Sequence, residues 1–456
     1  MIPVRLEQII GWCGGRLEGG SPAQMVTGVS TDSRTIKPGA LFVALPGARF
    51  DGHDFVRDVL RKKRAVAAVV RSDFPAGTGC LIKVPDTLSA LGKIACGYRK
   101  QFQVEMIAVT GSAGKTTAKE LIKRVLSSGY QVLASPGNFN NQIGLPLSLL
   151  KLRPEHRFCV IEMGMNHPGE IDRLSKIALP SCGVITTIGR AHAGFFKNLR
   201  EIALAKGELL VNLQGRHHAF LNADAAYYRL LKTMAPGPVT SFGTKRCAGV
   251  RGFLLEESLF SFRFRVAGYA VPFRMKFWNP AWIYTALAAI AVGQEFGISG
   301  QDIAGAISSL EPLPGRGKIW KLNGITLIDE SYNCNPDSLK QALVALARKK
   351  AKRTVAIIGD MAELGKRSHF FHTQLGRILQ QFSPGLVLLV GKEIVAAAVA
   401  AGQGPYHHFN DVESLQRQLP RYLHPGDLVL VKGSRAMGLE KVVSFLQHHY
   451  RRNHVC

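Results

Sequence analysis

Acidic residues are scarce in this chain of 456 residues: 32 Asp and Glu stand against 58 Lys and Arg, a formal net charge of +26. Such an excess creates a positive field that concentrates nucleotides, other anionic substrates or nucleic acid, without naming any of them. The densest basic runs, Arg61-Lys62-Lys63-Arg64 and Arg348-Lys349-Lys350-Ala351-Lys352-Arg353, follow apolar helical stretches and lack the interleaved aromatics of a single-strand binding groove. They read as solvated helix ends, where cations suit the helix dipole. Cysteine pairs are missing too. Cys13, Cys80, Cys96, Cys159, Cys182, Cys247, Cys334 and Cys456 include no C-x-x-C, which excludes a zinc ribbon, a thioredoxin-type site and a dense disulfide framework. Reduced thiols follow. The longest apolar run, residues 286–292, is far short of a membrane span, and Met1-Ile2-Pro3-Val4-Arg5-Leu6-Glu7 has no basic-then-apolar signal pattern. These absences predict a cytoplasmic protein without membrane insertion. Internal repeats and low-complexity tracts are absent as well.

What is present is the composition of a globular protein, 46% hydrophobic and 20% charged. The length exceeds what one core usually supports and predicts two or three domains. Residues 1–84 mix short β-like runs (40–45, 65–70, 80–84) with Gly and Pro turns and read as a small α/β domain. A helical stretch over 88–102 opens a second domain, residues 85–312. Its apolar strand candidates (106–110, 158–161, 183–188) alternate with helices over 116–126, 199–213 and 283–296, the pattern of a mostly parallel sheet covered by helices. Pro312, Pro314, Gly315 and Gly317 mark a boundary. Beyond it, residues 313–456 carry strand candidates at 326–329, 354–358, 386–390 and 428–431, a third, doubly wound α/β unit.

The sharpest chemical signal is Thr110-Gly111-Ser112-Ala113-Gly114-Lys115-Thr116-Thr117, placed between a predicted strand and a predicted helix. The glycines let backbone N–H groups converge on phosphate oxygens, Lys115 adds a point charge, and the Thr116 hydroxyl can reach Mg²⁺. Val109 stands where the longer pattern has its first glycine, so the match is to the G-x-x-G-K-T form. At the next strand end, Glu162 is placed where open α/β sheets hold ligands; it is either a Mg²⁺ partner or a structural carboxylate. His192, in Gly189-Arg190-Ala191-His192, is either functional or structural.

Many motifs in one order extend this picture: Ser30-Thr31-Asp32-Ser33-Arg34, Asp51-Gly52-His53, Gly137-Asn138-Phe139-Asn140-Asn141-Gln142, Asn166-His167, Ala205-Lys206-Gly207-Glu208, Pro314-Gly315-Arg316-Gly317, Asp329-Glu330-Ser331-Tyr332-Asn333, Gly359-Asp360-Met361-Ala362-Glu363-Leu364-Gly365, His372 and Lys432-Gly433-Ser434-Arg435. Together with the phosphate loop, over nearly the whole chain, they resemble the Mur ligases of peptidoglycan synthesis. Within that family the likeness is to the type that adds D-alanyl-D-alanine to UDP-N-acetylmuramoyl-tripeptide. The resemblance implies a monomeric, ATP- and Mg²⁺-dependent ligase working through an acyl phosphate, without a nucleic-acid partner. Its first domain would hold the UDP-sugar, its middle domain ATP, and its third would close over the site. Thr116 and Glu162 would serve one Mg²⁺, and His192 with a carbamylated Lys206 a second. Arg316 would reach the ATP phosphates and Asp329 would hold the nucleotide from the other side; an arginine after Pro-Gly can also simply pair across a domain interface. Ser30, Asp32, Ser33 and Arg34 would meet the UDP moiety, unless they only stabilise their own turn, and Asn138, Asn140 and Asn141 would contact substrate.

One segment departs from the family. Before the helix that holds Ala286-Leu287-Ala288-Ala289, these ligases carry His-Asn-x-x-Asn for adenine, and here the register reads Ala281-Trp282-Ile283-Tyr284-Thr285. Trp282 or Tyr284 either stacks on the base or packs against the helix, and weakened base discrimination is expected. Competing readings are a ligase of the same family adding the third residue, whose Asp-Asn-Pro-Arg signature is absent; a catalytically impaired homologue; and a nucleic-acid-stimulated ATPase, for which no recognised motif accompanies the charge.

Overall fold

A computed structural model of the chain describes residues 1–47, 49–62 and 65–451. Lys63, Arg64 and Cys456 of the sequence reading lie outside the described residues. Three α/β sheets follow one another along the chain. The first has five strands in the order Arg16–Glu18, Leu81–Val84, Ala67–Arg71, Ala40–Val43, Gly28–Ser30. The second has nine: Phe273–Met275, Phe262–Val266, Val250–Glu257, Val239–Gly243, His218–Asn222, Cys182–Ile185, Glu105–Thr110, Phe158–Glu162, Val132–Ala134. The third has six: Lys318–Leu322, Ile325–Glu330, Asp427–Lys432, Arg353–Gly359, Leu386–Val390, Tyr406–Phe409.

The α/β class is as read from sequence. In the nine-stranded sheet every pairing is parallel except the two that join Val250–Glu257, Phe262–Val266 and Phe273–Met275. This antiparallel extension was not legible. Its hairpin tip, Ser258-Leu259-Phe260-Ser261, carries none of the Gly or Asn turn residues that announce a hairpin. The run 183–188 is also shorter as a strand, Cys182–Ile185: Thr186 N–H still donates to Thr110 O at 3.0 Å, but its carbonyl accepts from the Asn222 side chain at 2.8 Å.

Helices form where apolar periodicity and caps agree. Asp86 accepts from Ser89 N–H at 2.7 Å and starts Thr87–Arg99; Asn335 and Ser338 cap Pro336–Ala347 reciprocally. The helix Lys115–Leu126 buries Ala118, Leu121, Ile122 and Val125 in one cluster with Ala286, Leu287 and Ile290 of Ile283–Glu295. That i, i+3, i+4, i+7 spacing makes one apolar face, and truncating Leu121 to Ala would cost about 2–5 kcal/mol. Helix Thr87–Arg99 ties the first two sheets together. Its Tyr98, fully buried, donates to Leu152 O and accepts from Ile2 N–H, both at 2.8 Å. One buried cluster runs from Leu41 and Val69 through Ile94 to Ile161 and Leu174.

The basic run at 348–353 needs correcting. Lys349 is not a solvated helix end: its side chain is 5% exposed, lies 3.8 Å from Glu257 and donates to Ser258 O at 2.9 Å. Arg353 begins a strand and grips Asp427 with two donors at 2.9 and 2.7 Å. Opposite charges elsewhere in the fold, invisible to a local reading, draw both inward.

Candidate active site

Three adjacent parallel strands bring the chemistry together. Glu105–Thr110 lies between Phe158–Glu162 and Cys182–Ile185, and the connections leave it in opposite directions, so a crevice opens beyond its carboxyl end. The phosphate loop fills that crevice. Gly111 has φ +150°, and a Cβ there would sit 2.0 Å from the Thr186 hydroxyl, so only glycine fits. Gly114, in left-handed conformation, starts the helix at Lys115.

A cavity of about 810 Å³ lies over the loop. The middle domain supplies Ser112 to Thr116, Asn140, Asn141, Glu162 and His192, and from beyond residue 313 come Arg316, Glu330 and Lys432. Thr116 Oγ1 donates to Glu162 Oε2 at 2.7 Å, and Asn140 Nδ2 donates to Glu162 Oε1 at 2.8 Å. Lys115 Nζ donates to Gly111 O at 2.9 Å. Burial holds the Lys115 pKa below its ordinary value; Glu162 and Glu363 pull against that, and Arg316 adds to it.

Several expected residues stand elsewhere. Lys206 is 1% exposed and does not line the cavity; burial, with the charge of Lys115 added, pushes its pKa well down. Asp329, expected to hold the nucleotide, is not among the lining residues; its carboxylate accepts from Gly315 N–H at 2.8 Å and from the Ser331 hydroxyl at 2.7 Å. It stitches down the linker that carries Arg316. Thr110, Gly111, Thr117 and Asn138 also lie outside the lining. Ser30, Asp32, Ser33 and Arg34 do not line it, and Arg34 grips both Asp32 oxygens at 2.9 Å, holding that carboxyl at about 2. In this state the turn satisfies itself.

Other side chains were not singled out by sequence. Lys119, fully buried, donates to Ser135 O at 2.6 Å and Gly137 O at 2.8 Å, anchoring the loop that presents Asn140. Glu330 accepts from Lys432 at 2.9 Å and from the indole of Trp278 at 3.0 Å. Burial alone would lower the Lys432 pKa, but Glu330 outweighs it and raises it. Asp224 accepts from the Tyr284 hydroxyl at 3.1 Å and the Thr244 hydroxyl at 2.7 Å; burial would raise its pKa, but these donors and the Thr244 and Lys245 amides hold it low. Trp282, in the segment that departs from the family, lines the cavity and packs on Phe277, ring centroids 5.4 Å apart. Arg316 lays its guanidinium 3.8 Å from the Tyr332 ring centroid.

Glu363, quoted only as part of a motif, approaches His192 from the third domain, with Nδ1 2.6 Å from Oε2. The contact is close but poorly directed as a hydrogen bond. The His192 ring, foremost, and Lys115 keep Glu363 below the usual carboxylate range, against its burial.

Family models match three stretches: the Mur ligase family catalytic domain over residues 25–99, the Mur ligase middle domain over 109–293, and the Mur ligase glutamate ligase domain over 315–435. A protein of Synechocystis sp. named UDP-N-acetylmuramoyl-tripeptide–D-alanyl-D-alanine ligase is 36% identical over 431 residues, covering 92% of each chain. Among solved structures, MurF from Acinetobacter baumannii superposes with TM-score 0.91 at 30% identity, over 98% of this chain and 99% of that one. MurF ligase from Thermotoga maritima in complex with ADP gives TM-score 0.80 at 29% identity, over 93% and 98%.

Proposed function

We infer the reaction from one premise: the chain belongs to the Mur ligase family. It is an ATP-dependent, ADP-forming ligase that joins D-alanyl-D-alanine to UDP-N-acetylmuramoyl-tripeptide in peptidoglycan precursor synthesis. Addition of the third residue is set aside, because the matched relatives are named for dipeptide addition. The reading extends to a cytoplasmic monomer; no helix among the described residues is long and apolar enough to cross a membrane.

The observation that supports this chemistry is the single cavity in which the phosphate loop meets cations from beyond residue 313. The tripeptide's terminal carboxylate attacks the γ-phosphorus of ATP, an encounter of anions that Lys115 and Arg316 make tolerable. The bond to the β-γ bridging oxygen breaks, ADP leaves, and an acyl phosphate forms. The amine of D-alanyl-D-alanine then attacks the acyl carbon; the tetrahedral intermediate loses phosphate and a proton to leave the amide. The Glu330–Lys432 pair, held from behind by the Trp278 indole, walls the cavity and limits water, which would hydrolyse the acyl phosphate.

The residues present fit Mg²⁺. Thr116 Oγ1 and Glu162 Oε2 are hard oxygen donors already 2.7 Å apart, beside the phosphate loop. Among the described residues no cluster of three His, Cys, Asp or Glu forms an all-protein cage, and Mg²⁺ bound through substrate phosphates needs none. Thr116 and Glu162 would hold one ion, His192 and Lys206 a second, and Mg²⁺ supplies charge neutralisation at the phosphates. Lys206 fits a carbamate on chemical grounds: a buried amine kept neutral is the form that adds CO₂, and the product carries anionic oxygens. We assign Arg34 with Ser30 to the UDP-sugar, which requires the Arg34–Asp32 pair to open.

Phosphate release from ATP, measured with UDP-N-acetylmuramoyl-tripeptide and with or without D-alanyl-D-alanine, tests the reading. Turnover is expected only when all three are present. Turnover that needs a polynucleotide, or a UDP-dipeptide and a free amino acid, would overturn it.

A further inference from the structure

His192 and Glu363 both hold left-handed backbone, φ +59° and +62°. Non-glycine residues adopt it against steric cost, and it persists where the surroundings over-determine it. Here two loops from different domains lock together. Gly194 N–H donates to Glu363 O at 2.8 Å. A Cβ on Gly194 would lie 2.5 Å from Gly365 N and 2.8 Å from Leu364 C, so the approach needs a residue without a side chain. The result is the 2.6 Å approach of Glu363 Oε2 to His192 Nδ1. His192 lines the cavity and Glu363 does not. The carboxylate therefore addresses the ring from behind, and Nε2 is the nitrogen left to the reaction chamber.

We propose that Glu363 is a positioning residue for the ligase reaction: this third-domain carboxylate orients the His192 ring so that Nε2 serves the cavity, and does so only while the two loops are docked. The proposal rests on the assignment of His192 to the reaction machinery. Working histidines commonly donate their second ring N–H to a carboxylate that fixes tautomer and orientation, and loss of such a partner typically costs about 10–100-fold. Glu363 is not the only tie between the domains. Asp337 of the third domain accepts from Arg190 N–H at 2.6 Å and from its guanidinium at 2.8 Å. Removing the Glu363 carboxylate thus leaves the loops another clamp.

Histidine ¹⁵N spectra of the substrate-free protein at about pH 8, with His192→Gln used to identify the His192 signals, test this directly. The Nδ1-protonated tautomer is expected in the wild type and in Glu363→Gln, whose amide oxygen still accepts, and its loss in Glu363→Ala. In turnover, Glu363→Ala is expected to lower kcat about 10–100-fold with KM for ATP within about threefold, and Glu363→Gln to recover most of the loss. Unchanged His192 signals in Glu363→Ala, or equal impairment of both variants, would overturn the proposal and leave Glu363 a tether. If the wild type forms no amide, the reaction reading fails instead, and the substrate-free spectra still decide the positioning.

Discussion

Lys206 is one cation among 58 Lys and Arg in the chain, yet it is buried, and that burial pushes its pKa well down. A charged ammonium there would be costly, and a neutral amine is reactive towards CO₂. Lys206→Ala is expected to lose about 100-fold in kcat, with partial recovery in millimolar bicarbonate-free formate or acetate, whose oxygens can enter the vacated space. Full activity without any such addition would exclude the carbamate. Trp282 is the second residue whose identity matters. Stacking of a base on an aromatic ring is worth about 1–3 kcal/mol and tolerates any base. Trp282→Ala is expected to raise KM for ATP about tenfold, and the wild type to prefer ATP over GTP by less than about tenfold in kcat/KM. A preference of about a thousandfold would exclude stacking as the main source of selectivity.

Among elements, the hairpin of Val250–Glu257 and Phe262–Val266 is the least expected and has a clear mechanical place. Its tip reaches the third domain: Leu259 packs on that domain's core, Lys349 bonds Ser258 O, and Lys321 lies 4.8 Å from the Phe260 ring centroid. Trp278, from the same domain as the hairpin, is buried in that same third-domain core. These contacts strap the third domain over the phosphate loop. Leu259→Asp removes about 1–2 kcal/mol of apolar burial from the closed arrangement. It is expected to lower kcat about 3–10-fold and to raise the radius of gyration measured by X-ray scattering with ATP bound. An unchanged radius with unchanged kcat would show that the strap carries no closure energy. By contrast, the strands Glu105–Thr110, Phe158–Glu162 and Leu386–Val390 fall within a residue of where apolar runs put them. Strands buried on both faces are continuous apolar runs, a signal that needs no partner to be read.

At the scale of the molecule, the charge of +26 acts on every substrate, since ATP, the UDP-sugar peptide and the dipeptide's carboxylate are all anionic. Exposed charges are screened within about 8–10 Å at physiological salt. Raising NaCl from about 50 to about 300 mM is expected to raise KM for the UDP-tripeptide about 2–5-fold while kcat stays within about twofold. A salt-independent KM would place the basic excess outside substrate capture.

The sequence by itself determined the α/β class, the phosphate loop and the ligase family, because glycine-lysine-threonine spacing and apolar runs are local chemistry. Only the tertiary structure decided which side chains line the cavity. Asp329 and Glu330 are neighbours on one strand, and alternation sends the first into the linker and the second to the cavity wall. Lys349 reads as a solvated cation until Glu257 and Ser258 are brought against it, and Glu363 reads as motif until Gly194 and Gly365 let two loops touch. A side chain's period along the chain fixes its face, but its partner is set by contacts between residues far apart in sequence, and burial, charge state and function follow from the partner.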